Sequence, residues 1–404
     1  MLKTLFMKRE KLIIIFTVLV DVLGFGIVIP ILPFYVTEFG ASPSTVTLMF
    51  ATFSFFSFLS APFLGALSDR VGRRPILIVS ILSTAIGWFV FAGATSIPML
   101  FLGRIIDGAA AGNFTIAQSY LVDISEDEKE RTANLGLIGA AFGIGFMLGP
   151  ILGGILSKVS HAFPFWIAGT MALVNTITAY FFLPETHHKR EGHAALVFNP
   201  IAPLARAVSD IALRPFFLSW LMFILAFVTS QSVFALYCGK VFGFDAFTTG
   251  TLFTGVGVVT AINQGLLLKR FWLRRFTEST LEIMMFAVLA AGLILFPIKS
   301  LPLFYAGLLL LGTGQSVLRV VITSEIAGLA DPRKKGETMG VQSALMSASM
   351  VVGPIISGVL FELHDTVPYF VATGYLAFGF TMALRNRLTG RLIGKQPSSA
   401  NLSS

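Results

Sequence analysis

Charge is what this chain of 404 residues has least of: Asp, Glu, Lys and Arg make up 12% of it, about half the share found in a soluble domain. An ordinary water-soluble fold is excluded on that ground. Cysteine is nearly absent, Cys238 standing alone in an apolar run, so no disulfide framework is available and the thiol reads as a small packed hydrophobe. The five histidines, His161, His187, His188, His193 and His364, lie in loops or at the ends of apolar runs. A Cys/His metal cluster is therefore excluded, and neither metal nor cofactor is expected. The apolar runs hold no Ser/His/Asp set, and no sizeable polar domain interrupts them, which weighs against an enzyme. Base exceeds acid by eight, with a pI near 9.7, but the basic residues are dispersed over short loops. They carry topology, and no nucleic-acid partner is expected.

What the chain does have is apolar length: 55% hydrophobic residues and a mean hydropathy of +0.82 describe an all-α polytopic membrane protein. A helix rises about 1.5 Å per residue and must cross about 30 Å of hydrocarbon. Twelve runs are long enough, approximately 12–36, 46–67, 76–95, 98–122, 132–156, 162–183, 216–238, 247–268, 279–298, 302–327, 338–361 and 367–385. An even number puts both termini on one side. Of the 29 Lys and Arg, 24 fall in the termini and alternate loops, three (Lys158, Lys240, Lys299) in the opposite turns and two (Arg104, Arg319) inside runs. This asymmetry predicts a multi-pass protein of the inner (plasma) membrane with both termini cytoplasmic. The first run is too long for a signal-peptide core and has no small-residue cleavage site after it, so it is expected to be retained.

The longest connection divides the runs six and six. Residues 1–183 are expected to form an N-terminal six-helix bundle, 184–215 a cytoplasmic linker, 216–385 a C-terminal six-helix bundle and 386–404 a cytoplasmic tail. The linker opens on His187, His188, Lys189, Arg190 and Glu191, a polar stretch that reads equally as a plain solvated loop. It continues with Ile201, Leu204, Val208 and Ile211 at helical spacing, which predicts a short helix lying on the membrane surface. The halves also repeat each other: Gly149-Pro-Ile-Leu-Gly-Gly154 recurs as Gly353-Pro-Ile-Ile-Ser-Gly358, the mark of an internal duplication.

Ionisable groups inside a span cost roughly 2.5 to 3.5 kcal/mol each on insertion scales, so each needs a reason. Asp21 lies near the middle of the first run and has no opposite charge at i±3 or i±4. It is neutral, paired across helices, or matched to a cation. In the fourth run Arg104, Asp107, Ala111, Thr115 and Gln118 follow helical spacing as one polar stripe. Arg104 with Asp107 reads either as a self-neutralising structural ion pair or as an arginine tuning a proton-exchanging carboxylate. In the tenth run Gly312, Gln315, Arg319 and Thr323 form a second stripe. Polar residues stranded in apolar runs, Gln231, Asn263, Gln315 and Gln342, are cleft candidates alongside Arg319, with interhelical hydrogen bonding as the other reading.

Two motifs are sharper. Gly65-Ala-Leu-Ser-Asp-Arg-Val-Gly-Arg-Arg-Pro75 packs Asp69, Arg70, Gly72, Arg73 and Arg74 into a hairpin between the second and third runs. In the fifth run Gly145, Gly149 and Gly153 recur every four residues with Pro150 and Gly154 beside them, a spacing that lets helix backbones approach closely. The first resembles the loop signature of the major facilitator superfamily of secondary transporters, and the second is similar to the fifth-helix signature of its antiporters. With the stretch from Asp21 to Pro33, Arg104-Ile-Ile-Asp-Gly and Asp123, they stand in the order seen in twelve-helix drug/proton antiporters related to tetracycline exporters. That resemblance implies two six-helix bundles with a cleft between them. It implies a cytoplasmic gate at Gly65, Asp69, Arg70, Gly72, Arg73, Arg74 and Asp123, links Arg104 to proton transfer and puts Asp21 in the cleft; with the desolvation of carboxylates inside spans, proton coupling through Asp21, Arg104 and Asp107 is expected. The chain departs from tetracycline exporters at Gly87-Trp88, where those carry an acidic residue. It also has no mid-membrane carboxylate in the ninth run, Glu282 being near its end.

The expected activity is export of small amphipathic organic compounds in exchange for protons, multidrug efflux by alternating access, from a monomer embedded in the lipid bilayer. A proton-coupled solute symporter or a lipid-like flippase on the same fold is the alternative.

Overall fold

The computed structural model describes residues 9–186, 202–211, 213–331 and 334–393, and among them every regular element is helical. In the first half these are α1 (Arg9–Thr37), α2 (Pro43–Val71), α3 (Arg73–Ala92), α4 (Ile97–Ala109), α5 (Asn113–Asp123), α6 (Glu128–Leu156) and α7 (Phe163–Phe182). A short α8 (Ala202–Ser209) precedes α9 (Arg214–Phe242) and α10 (Ala246–Ile262). The latter runs on through a π-helical stretch, Asn263–Trp272, into α11 (Leu273–Arg275). The chain closes with α12 (Glu278–Leu295), α13 (Leu301–Leu329), α14 (Lys335–Leu363) and α15 (Val367–Ile393). Side chains cap several starts: Ser42 accepts from the Thr45 N–H at α2, and Asp127 accepts from the Glu130 N–H at α6.

Eleven of these helices are long and apolar enough to cross a membrane. The remaining predicted run, 98–122, is present but broken. α4 stops at Ala109 and α5 restarts at Asn113, so the continuous helix expected there, and the single polar stripe drawn along it, are corrected. The carbonyls freed at the break are not left bare, which a membrane interior does not tolerate. Ser83 of α3 donates to the Ile106 carbonyl at 2.7 Å, and Ser60 of α2 donates to the Gly108 carbonyl at 2.7 Å.

The chain sorts into two compact units. The first comprises residues 1–200, 231–258 and 350–365; the second comprises 201–230, 259–349 and 366–404. In the first, Tyr35 of α1 packs among Trp88 and Phe91 of α3 and Phe165 of α7, with Trp88 and Phe165 stacked at 5.7 Å between centroids. The Tyr35 hydroxyl, buried among rings, donates to the Phe91 and Ala92 carbonyls at 3.2 and 3.0 Å, so the cluster carries no stranded polar atom there. In the second, Arg206 of α8 pairs with Glu337 of α14 at 2.9 Å. The polar linker residues from His187 to Glu191 lie outside the described residues, as does the tail beyond Ile393.

Candidate functional site

Asp21 sits half-buried on α1, and its Oδ1 receives the Asn113 side-chain amide at 3.0 Å. The same amide reaches the Thr84 hydroxyl of α3 at 3.2 Å. Thr84 in turn serves the Asp107 carboxyl, which is close enough to act on Asp21 electrostatically. Asn113, Thr84, Asp107 and Arg104 are buried. Four helices thus converge on one polar cluster around the carboxyl predicted from the first run. The break between α4 and α5 is what brings Asn113 into it: nine positions after Arg104, on an unbroken helix of about 100° per residue, it would point the opposite way. Asn113 is a member of this cluster that sequence reasoning missed.

Arg104 faces Asp107 across 3.4 Å between Nη2 and Oδ2. Its guanidinium also lies against three rings, 4.2 Å from the Trp88 centroid, 4.8 Å from Phe91 and 5.6 Å from Phe53. Cation–π attraction of this kind is worth more where water is excluded. Neither Nε nor Nη2 has a hydrogen bond of good geometry, so the rings and the Asp107 charge hold the group in place. The pair leaves Asp21 with an amide donor and, among the described residues, no cation of its own.

At the hairpin, Gly72 has φ of 117°, a conformation suited to glycine. The Glu185 carboxylate sits where a Gly72 side chain would stand and accepts the Arg73 and Arg74 N–H groups at 3.0 and 3.2 Å. An acid at a helix start satisfies orphan donors and complements the dipole. Arg73 is buried, pairs with Asp69, contacts Asp123 at 3.1 Å and donates to the Ser68 hydroxyl at 2.8 Å. Arg74 donates to the Tyr180 carbonyl at 2.5 Å. Asp69, Arg73 and Asp123 are therefore assembled; Gly65 joins them through its carbonyl, which accepts the Ser68 hydroxyl at 2.7 Å, and among the described residues Arg70 has no polar partner in this network. Glu185, 112 positions from Arg73, was not foreseen because nothing local marks it.

The α6 glycines serve two neighbours. A Cβ on Gly149 would stand 2.8 Å from Gly26 Cα of α1, and one on Gly145 2.7 Å from Val22. Gly153 faces Ile27 and Ile31 in the same way. Gly154 and Pro150 turn instead to Phe247 and Gly250 at the start of α10. The remaining candidates are dispersed. Asn263 accepts the Trp272 indole N–H at 3.0 Å across the π-helical stretch, and Gln342 donates to the Thr323 hydroxyl at 2.8 Å. Gln231, in the first unit, and Gln315, in the second, are half-buried. Arg319 lies 5.9 Å from the Phe227 centroid, with no carboxylate partner among the described residues.

A family model described as Major Facilitator Superfamily matches residues 14–298 and 271–399. Multidrug resistance protein 1 of Bacillus subtilis (strain 168) is 28% identical over 369 residues, 90% of this chain and 92% of that protein. Quinolone resistance protein NorA of Staphylococcus aureus (strain MSSA476) is 25% identical over 382 residues, 94% of this chain and 96% of the relative. Among solved structures, a bacterial homologue of the human lysosomal transporter Spinster, inward-facing and occupied, aligns with a TM-score of 0.75 at 13% identity. It covers 95% of this chain and 98% of its own. The human organic anion transporter MFSD10 aligns at 0.68 with 24% identity, covering 93% of this chain and 99% of that one. At such identities the structures speak to fold alone.

Proposed function

The chain belongs to the Major Facilitator Superfamily, and on that footing we propose that it is a proton-coupled antiporter exporting small amphipathic organic compounds. In this reading it works as a monomer in the inner membrane, with cytoplasmic termini and two six-helix bundles that alternate access to a shared cleft. It is a transporter and not an enzyme. The resistance proteins of Bacillus subtilis and Staphylococcus aureus, similar along nearly their whole length, support export of drugs as the direction and substrate class. The hairpin of Asp69, Arg73 and Asp123 serves as the cytoplasmic gate, and the α6 glycine row as the close contact along which the first bundle moves.

One observation carries the coupling: Asp21 and Asp107 share a polar cluster whose cation, Arg104, already faces Asp107. An unpaired carboxylate within a membrane is costly, so Asp21 is relieved either by a proton or by a cationic substrate. Substrate entering from the cytoplasm favours loss of the proton, and a proton arriving from outside favours release of the substrate. Each charge moved draws about 2.3 kcal/mol per 100 mV of membrane potential. Asp21→Asn holds the neutral form permanently. In proteoliposomes with an imposed pH gradient it should abolish uphill transport and proton release on substrate addition, and weaken binding of cationic compounds more than neutral ones. Undiminished proton-coupled transport in Asp21→Asn would move the role elsewhere, Asp107 being next.

A further inference from the structure

Two carboxyl groups in the second unit have no part in that cycle. Glu282, one turn into α12, is 0% exposed. Glu325, one turn before the end of α13, is half-buried, and the two carboxyls lie within reach of one another. Ser219 of α9, itself 0% exposed, directs its hydroxyl at Glu282 from a third helix. None of these groups is well served: the Ser219 hydroxyl, both Glu282 oxygens and Glu325 Oε2 are buried without a hydrogen bond of good geometry.

The charges around the pair offer no relief. On α12 Glu278 adds a further negative charge, and its carboxylate takes the Ser324 hydroxyl at 2.8 Å. The one cation of α13 is Arg319, nearly two turns away and set against Phe227. The π-helical stretch beside α13 carries Lys269 and Arg270, α15 carries Arg385 and Arg387, and α9 has Arg214 at its start and Lys240 near its end. Among the described residues none of them pairs with Glu282 or Glu325. Two carboxylates close enough to act on each other, one fully buried and both without a counter-ion, are not both kept ionised.

We propose that Glu282 and Glu325 share one proton and form a second proton-binding site, with Ser219 as its hydroxyl donor. One carboxyl carries the proton and donates it to the other as a hydrogen bond, while Ser219 donates to the remaining carboxylate oxygen. All the orphaned groups are satisfied by that single proton. It exchanges with water through Glu325, the more exposed partner, and its departure leaves two facing carboxylates that recapture a proton before anything else in the unit changes. The site requires no transported compound and does not rest on the export reading.

The test uses the purified full chain in detergent without substrate, followed by infrared spectroscopy at neutral pH and by a count of protons taken up on acidification. A protonated-carboxyl band should be present in the wild type and lost in Glu282→Gln and in Glu325→Gln. The double variant should lose no more of it than either single one, since one proton is shared. Ser219→Ala removes a single oxygen and should shift the band without removing it, which keeps the test alive if a glutamine variant fails to fold. The band should persist in Asp21→Asn, so failure here and failure of the coupling role of Asp21 are read separately. A band untouched by either glutamine and by Ser219→Ala overturns the site. So does a band that disappears when sodium or potassium is added, which assigns the pair to a metal cation, or a double variant that loses twice what each single loses.

Discussion

Asn113 shows how one amide can decide the chemistry of a carboxyl. It gives Asp21 its hydrogen bond at 3.0 Å and touches Thr84 at 3.2 Å from the same nitrogen, while its own Oδ1 stays buried without a donor. It is a positioning residue, and Leu matches its bulk without its hydrogen bonds. Asn113→Leu should lower stability by about 1 to 3 kcal/mol, the range for stranding a buried polar partner, and should change the pH profile of transport. Thermal unfolding in detergent reads the first effect and pH-dependent uptake into proteoliposomes the second. A variant that moves the melting temperature and leaves the pH profile untouched makes Asn113 a structural residue only. Gly87 works by a different constraint. A Cβ there would stand 2.8 Å from Asp107 Cβ and 2.9 Å from the Gly103 carbonyl, so α3 and α4 approach too closely for an acidic side chain. The acid of this region is supplied from α4, by Asp107, which accounts physically for the departure from tetracycline exporters.

At the scale of the element, the break between α4 and α5 sets the geometry of the whole cluster, and Ser60 and Ser83 make it tolerable. Each hydroxyl serves a carbonyl at 2.7 Å that α4 itself no longer uses. Ser60→Ala with Ser83→Ala removes the side-chain donor from both carbonyls and leaves Gly108 with the Ala111 N–H at 3.2 Å, at about 1 kcal/mol for each bond lost. The double variant should melt lower and transport poorly, in step, because it favours a continuous helix that turns Asn113 away from Asp21. Full transport in a double variant of lowered stability would show that the cluster survives without the break. The run itself was legible, since a predominantly apolar stretch of twenty-five residues announces a span whatever its conformation. The break was not: Ala109-Ala-Ala111 has the highest helix propensity available, and what overrides it comes from α2 and α3, far away in the chain. The hairpin assembly of Asp69, Arg73 and Asp123 was readable from motif and charge. Its fourth member, Glu185, was not, because an N-terminal cap supplied from 112 positions away leaves no local pattern.

At the scale of the whole molecule, the first compact unit takes in residues 231–258 and 350–365 as well as the seven helices of the first half. These later segments meet it at the ends of helices remote from the arginine hairpin. Ser44 opens α2 with an N–H that has no partner within the helix, and the Glu362 carboxylate of α14 accepts it at 3.1 Å and the Ser44 hydroxyl at 2.5 Å. Beside this contact a Cβ on Gly358 would stand 2.8 Å from Ser44 Cα, and Thr47 is fully buried against the same turn. Under the alternating access proposed above, such a contact is made in one state and broken in another, so removing the capping acid should raise the population of the opened state. Thr47→Cys is a suitable reporter because the native thiol, Cys238, is buried. In the Thr47→Cys background, Glu362→Ala should increase the rate at which a membrane-impermeant maleimide modifies residue 47 several-fold, and bound substrate should alter that rate. The control is Glu38→Ala, which breaks the contact of Glu38 with His161 and leaves the start of α2 capped. Equal labelling with and without Glu362 would mean that backbone packing at Gly358 closes this end of the molecule unaided.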